Sequence, residues 1–431
     1  MRILEIIHGY PPRYNAGSEI YTQMVSNALS ERGHTVAVFC REEDPYRPDF
    51  DISVESDSIN PLIRVYLTNH ARSRDRYRHD GMDEAFLNVL RRFKPDVIHV
   101  NHLSHLSTGI IEVAYEENHP IIFTLHDFWL ACPRGQFLQM ALGEETVYPE
   151  CPGQNDRRCA VHCMSRMWGG VKADEDREYW ASWVRHRKDE VKKICNKIDL
   201  FISPSIHLKK RISDELKIPH EKIIYEPYGF DHARLTGRER SKDNVFVFGY
   251  IGRIVPAKGL DMLIKAFGIT NRTAKLRIWG RPTNQDTPAL KRIAESISPS
   301  HRDRIEWLPE YRNEEIVDKV FNHVDAIVVP SIWDENSPLV IQEALQSGVP
   351  VITSEKGGMG ELIRDGINGW TFKHRSIDDL AKRLQQAIDS PEKLLGLSKR
   401  GFLQSESGQV HRVEDHAANL EYLFLGIKRR E

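Results

Sequence analysis

The sequence predicts an α/β protein of two domains, each a parallel sheet wound with helices, and three observations carry that expectation. Residues 326–353 read as strand, loop, helix and strand: 326–329 and 349–353 are short apolar runs of the kind buried on both faces of a sheet, and the stretch between them is helical. Residues 3–39 repeat the pattern, with a strand over 3–7, a loop over 8–17, a helix from about Ser18 to Arg32 and a strand over 35–39. The chain has 431 residues, too many for one ordinary core, so two such units are expected.

Composition narrows the function without naming it. Sixty basic residues stand against 62 acidic ones, for a net charge of −2, which gives no general case for a nucleic-acid partner. No apolar run approaches the roughly 18 residues a membrane span needs, and residues 1–10 read as a strand rather than a signal peptide. A cytoplasmic protein is therefore expected. Six cysteines in that setting point to thiols or a metal site rather than a disulfide framework.

In chain order, Gly17 stands at the first strand-to-helix turn, where a missing side chain lets a ligand approach the backbone. Residues 70–80 mix four arginines with histidines and aspartates; a solvated charged face is the plain reading. Docking to an anionic acceptor or lipid headgroups is the sharper one, at about 1 kcal/mol per cation. Residues 96–100 and 120–125 read as further buried strands. The second leads straight into His126, at the carboxyl end of a strand, where open α/β sheets bind ligands.

From 131 to 172 the regular pattern lapses. Cys132, Cys151, Cys159 and Cys163 fall within this insertion, amid Pro, Gly, Asn, Asp and Arg, with His162 beside them. Four thiolates close a tetrahedral zinc site, which would order so long a loop; an iron–sulfur cluster or unligated thiols are the other readings. A helix over 176–196, a strand over 198–203 and a short strand over 222–226 follow, and the polar stretch 234–244 sets the domain boundary near residue 228.

The second domain opens with a strand over 245–251 that ends in Gly252-Arg253, and its loop carries Lys258. Two cations on one strand-to-helix connection suit a diphosphate, Arg through its planar fork and Lys as a point charge. Strands at 275–279 and 305–308 follow. In 330–351, Ser337 is expected as N-cap and Pro338 as the first helical residue, which leaves the N–H groups of Leu339 and Val340 as an anion site. Glu335 precedes that cap and Glu343 lies about one and a half turns into the helix, too far apart to form an acid pair. Glu343 sits among apolar neighbours, where an acid needs a partner. Two more helices are expected, over 377–388 and from about 410 to 428.

Glu335, seven intervening residues, Glu343-Ala344 and Gly348-Val349-Pro350-Val351, continued by Gly357-Gly358 and Glu361, resemble the acidic signature of retaining glycosyltransferases of family 4, in the GT-B group. The similarity runs from the first strand to roughly residue 390. It implies two Rossmann-like domains whose parallel sheets face each other across a cleft. Residues 1–228 would form the acceptor side with the 131–172 insertion, 229–408 would bind the nucleotide sugar, and 409–431 would return as a helix to the first domain.

The resemblance also assigns roles. Arg253 and Lys258, with Gly252 and the helix start at Ser337, Leu339 and Val340, hold the donor diphosphate; Glu335 orients the sugar and Glu343 binds the ribose. The base lies against the backbone near Gly280 and Leu308, and His126 lies beside the donor sugar. Gly17 lines the cleft, although relatives carry two glycines where this chain has Ala16-Gly17. Pro338 stands where many relatives have glycine. The implied reaction moves a sugar from a UDP- or GDP-linked donor to a saccharide or lipid-linked hydroxyl with retention, a phosphate oxygen taking the proton. No metal or other cofactor is needed for catalysis, and polysaccharide or glycolipid assembly at the inner membrane face is the implied setting. A sugar-nucleotide epimerase or phosphorylase shares the architecture, and a degenerate transferase serving as an assembly subunit is the non-enzymatic option. A nicotinamide dehydrogenase is disfavoured, because no Gly-x-Gly-x-x-Gly follows the first strand.

Overall fold

A computed structural model describes residues 1–71, 77–140, 148–168, 174–240, 245–271, 274–283, 286–297 and 299–427. The chain divides into two compact units, one built from Met1–Gly143, Pro149–Gly229 and Val413–Glu431, the other on Phe230–Arg412.

The first unit holds an eight-stranded sheet: β1 (Arg2–Ile6), β2 (Thr35–Glu42), β3 (Ile52–Ser56), β4 (Arg64–Asn69), β5 (Val97–Val100), β6 (Ile121–Thr124), β7 (Leu200–Ser203) and β8 (Ile223–Tyr225). The spatial order is β3-β4-β2-β1-β5-β6-β7-β8, parallel throughout except for the edge strand β3, which runs antiparallel to β4. The central strands are buried on both faces, as their mainly apolar sequences lead one to expect, with Glu5 in β1 and His99 in β5 as buried polar interruptions. β3 and β4 have no counterpart in the sequence reading. β3 is half exposed and reads Ile-Ser-Val-Glu-Ser, an alternation that signals a one-sided edge strand rather than a buried one.

Strands leave β1 in opposite directions, to β2 on one side and to β5 on the other, so the crevice at the carboxyl ends of β1 and β5 is the topological switch point. The helix Gly17–Glu31 follows β1, and the last helix, Val413–Gly426, packs on it: Tyr21 Oη lies 2.8 Å from His416 Nε2. His416 Nδ1 in turn lies 3.1 Å from Glu226.

The second unit holds six parallel strands: β9 (Phe246–Ile251), β10 (Ala274–Trp279), β11 (Ile305–Leu308), β12 (Ala326–Val329), β13 (Val351–Ser354) and β14 (Trp370–Phe372), in the order β11-β10-β9-β12-β13-β14. Its switch point lies between β9 and β12. The chain enters and leaves this unit at adjacent points: Phe230 N donates to His411 O at 2.8 Å, and Phe230 pairs with Arg412. Among the described residues no helix is long and apolar enough to cross a membrane.

Candidate active site

In the second unit the loops after β9 and β12 meet backbone to backbone. Gly259 ends the 3-10 turn Pro256–Lys258 at φ +67°, and a Cβ there would stand 2.0 Å from Pro330 O; Ile332 N donates to Ala257 O at 3.0 Å. This closure carries Lys258 across to the β12 loop, where its Nζ lies 2.6 Å from Glu335 Oε1. Ser331 Oγ donates to the same oxygen at 2.7 Å, and the ammonium also sits 5.5 Å from the centre of the Trp333 ring. Glu335 is buried, so its charge is compensated by Lys258 and Ser331 rather than by water. Arg253 projects exposed from the same β9 loop, and Tyr250 Oη fixes its carbonyl with a 2.9 Å hydrogen bond.

Gly357-Gly358 supports the Glu335 loop from behind. Gly358 N donates to Glu335 O at 2.6 Å, and a Cβ on Gly358 would lie 1.6 Å from Asn336 O.

The helix Leu339–Gln346 starts one residue later than its sequence suggests. Pro338 occupies the N-cap position, and Ser337 is not the cap: its hydroxyl accepts from Gln342 Nε2 at 2.9 Å, a bond that competes with capping. The first helical amides are still those of Leu339 and Val340, ahead of the turn bond from Ile341 N to Pro338 O. The partner that Glu343 needs is Arg234, whose Nη2 lies 2.6 Å away with both side chains about nine-tenths buried. Arg234 lies in the stretch read from sequence as a polar linker. A further cavity of about 470 Å³ opens where β10 and β11 end, lined by Trp279, Leu308, Tyr311, Arg277 and Glu306 among others. Burial, with Glu343 nearby, pushes the Tyr311 hydroxyl well above its usual range, so it stays protonated as a donor.

In the first unit the switch point is crowded with imidazoles and carboxylates. His8, just past β1, pairs with Glu19 at 3.2 Å; His102, just past β5, lies 3.3 Å from Asp127; the His8 and His102 rings are 4.4 Å apart. Burial works against ionising Glu19, but His8 and Ser18 outweigh it and hold the carboxyl down at about 2. His126 sits at the end of β6, its Nδ1 2.7 Å from Tyr228 Oη and its Nε2 3.3 Å from Asn101 Oδ1, and Tyr21 packs edge-on at 4.8 Å. Burial, then the neighbouring His102 and His99, push its pKa well below the usual value, so the ring is neutral. Gly17 is the exposed first residue of its helix. His8, Glu19, Asn101 and Asp127 were not singled out from sequence. Each lies within three residues of a strand's carboxyl end or in the first turn of the next helix, close to the signal that marked His126.

The structure does not show the zinc centre expected of Cys132, Cys151, Cys159 and Cys163. Among the described residues no group of three or more His, Cys, Asp or Glu side chains is placed to hold a metal ion. Cys159 and Cys163 instead pack into an apolar cluster with Met164, Trp180, Trp183 and Val184. Burial, more than the neighbouring thiols, pushes Cys159 up to about 12 and raises Cys163, which keeps both protonated. Cys151 Sγ lies 3.2 Å from Gly153 O. Of the arginines read as a docking face, Arg72, Arg74 and Arg76 lie outside the described residues, and Arg78 is engaged by Glu112 at 2.5 Å and Glu190 at 3.2 Å.

Residues 16–234 match the family described as Glycosyltransferase Family 4, and residues 233–403 match Glycosyl transferases group 1. The chain belongs to glycosyltransferase family 4. Among relatives of this family, D-inositol 3-phosphate glycosyltransferase of Actinosynnema mirum is 29% identical over 412 residues, 90% of this chain and 88% of the relative. An uncharacterised protein of the Klebsiella pneumoniae cps region is 24% identical over 387 residues, 84% of this chain and 88% of that one. The fold is GT-B. Sucrose-phosphate synthase of Thermosynechococcus elongatus superposes with a TM-score of 0.70 at 18% identity, covering 99% of this chain and 98% of its own. Anabaena HepE, solved in complex with UDP, gives 0.68 at 16% identity over 99% and 100% of the two chains.

Proposed function

We propose that this family 4 glycosyltransferase is a retaining enzyme that moves a sugar from a UDP- or GDP-linked donor to a hydroxyl of a saccharide or lipid-linked acceptor, with no metal at the diphosphate. The observation that carries the reading is the Lys258–Glu335 pair on the two loops that flank the second unit's switch point. The occurrence of UDP in the HepE complex, a protein of the same fold, supports a nucleotide-linked donor.

The chemical difficulty is departure of the nucleoside diphosphate, with negative charge growing on its phosphates. Lys258, Arg253 and the amides of Leu339 and Val340 supply positive charge and N–H groups already in place. Glu335 and Trp333 hold the Lys258 ammonium extended before the donor arrives, so little reorganisation is left for the reaction. Glu335 then takes sugar hydroxyls and Glu343, oriented by Arg234, takes the ribose; the cavity at the ends of β10 and β11 takes the base. The acceptor hydroxyl attacks from the face the diphosphate leaves: the sugar–phosphate C–O bond breaks, the new glycosidic C–O bond forms, and the hydroxyl proton passes to the departing phosphate oxygen. His126, Gly17 and the paired imidazoles and carboxylates of the first unit serve the sugar and the acceptor. Polysaccharide or glycolipid assembly, with the protein cytoplasmic or peripheral at the inner membrane face, is the setting this chemistry fits.

The test is a thermal-shift panel of UDP, GDP, ADP and their sugars without divalent metal, followed by turnover of the donor it selects. One nucleotide should raise the melting temperature. Lys258→Ala should lower kcat about 10²–10³-fold with an unchanged circular dichroism spectrum, and the product's anomeric configuration should match the donor's. Near-normal turnover by Lys258→Ala would remove the assignment.

A further inference from the structure

A carboxylate on the central strand of the first unit's sheet is an expensive place for charge. Glu5 on β1 is 0% exposed, flanked by apolar Leu4 and Ile6, and its Oε1 has no hydrogen-bond partner among the described residues. An aliphatic residue would pack there without that desolvation cost. Its ion pair and its hydrogen bond both fall on the other oxygen. Glu5 Oε2 lies 2.8 Å from Nδ1 of His99, its register partner on β5, and accepts from Asn101 Nδ2 at 2.7 Å.

That second bond decides which way the Asn101 amide faces. With Nδ2 given to Glu5, the amide oxygen is turned toward His126, 3.3 Å from Nε2. A carbonyl oxygen only accepts, so Nε2 must carry the hydrogen. A neutral imidazole has a single N–H; Nδ1 is therefore bare and accepts the Tyr228 hydroxyl at 2.7 Å. Asn101 is itself 0% exposed, so water does not offer its amide an alternative orientation.

We propose that Glu5 and Asn101 are positioning residues that fix His126 as the Nε2–H tautomer, so that the ring offers a hydrogen-bond donor to an oxygen of the bound sugar. The 3.3 Å contact to Asn101 is long for N–H···O. The last clause rests on the proposed role of His126 beside the sugar; the tautomer itself does not.

The two parts separate experimentally. Long-range proton–nitrogen NMR on the full chain with nitrogen-labelled histidine reads the tautomer without any donor, the His126 signals being those lost in His126→Gln. The wild type should show a protonated Nε2 and a bare Nδ1. Glu5→Gln should keep that pattern, since its amide oxygen can accept both bonds, and Tyr228→Phe should keep it too. Asn101→Leu should move the ring toward a mixture or toward Nδ1–H. It should also lower kcat at least about tenfold with donor KM little changed, as expected for an interaction made in the transition state. A wild-type Nδ1–H spectrum, an Asn101→Leu spectrum like the wild type, or a flip in Tyr228→Phe would each overturn the inference. The wild-type and Glu5→Gln arms decide it if Asn101→Leu does not fold. Undiminished turnover in His126→Gln would instead overturn the sugar contact and leave the tautomer assignment standing.

Discussion

Replacing Gly358 by alanine should cripple turnover while leaving most of the fold intact. A Cβ at this position would lie 1.6 Å from Asn336 O, where an ordinary contact is about 3.4 Å; subtracting the first from the second, about 1.8 Å must be found by moving backbone. The atoms in the way belong to the loop that carries Glu335, and Gly358 N is bonded to Glu335 O at 2.6 Å, so the displacement passes directly to the residue that holds Lys258. A misplacement of about 1 Å at reacting groups can cost about 10²-fold in rate. We therefore expect Gly358→Ala to lose two or more orders of magnitude in kcat. Overpacking of this kind should cost about 1–3 kcal/mol of stability, short of unfolding the chain. Initial rates with the donor chosen by thermal shift, alongside a urea melt, measure both quantities. A variant within threefold of wild-type turnover would refute the reasoning, because it would mean that the position of the Glu335 loop does not govern the reaction.

Other consequences follow from single side chains. Arg234→Ala leaves Glu343 buried without its counter-ion and should cost about 3–5 kcal/mol; adding Glu343→Gln should restore part of it, and a loss under 1 kcal/mol in a urea melt would mean that the pair is effectively solvated. Asp83 is half-buried in the first turn of the helix Asp80–Phe93, and its burial, only partly offset by Ser107 and Arg78, raises its carboxyl to about 6. An acid that holds its proton more tightly when folded stabilises the fold in acid and loses that contribution as pH rises through about 6. Asp83→Asn should accordingly gain at most about 2 kcal/mol at pH 8, after allowing for solvent screening, and nothing near pH 4; melting temperatures across that range would show it, and a gain independent of pH would contradict it. Ser205 caps the helix Ile206–Leu216 by accepting from Leu208 N at 3.1 Å, so Ser205→Ala should cost about 1 kcal/mol with activity unchanged.

The parts of this fold that the sequence announced are those where burial on both faces forces continuous apolar runs. β9, β12 and β13 could be read to within a residue or two, and with them the loops that hold Arg253, Lys258 and Glu335. β3 escaped because a half-exposed edge strand carries a weaker pattern, and the cap at Pro338 escaped because Ser337 found a better partner in Gln342. Spacing along the chain also says nothing about which cation meets which acid. Lys258 and Glu335 are 77 positions apart, Arg234 and Glu343 109, and only the closing of β9 against β12 brings the first pair together. The four cysteines illustrate the opposite case: their clustering in sequence invited a ligand set, while in the fold apolar residues pack around Cys159 and Cys163.

The hydrogen bond from Phe230 to His411 means that the two severable ends of the second unit lie side by side. Residues 230–412 thus already meet the geometric condition for a segment that can be cut out and expressed alone, or rejoined by a short linker and reopened at an exposed loop away from the base cavity, such as 364–367. A nucleotide-binding half obtained that way would let donor recognition be weighed apart from transfer, with the same side chains and no acceptor machinery attached.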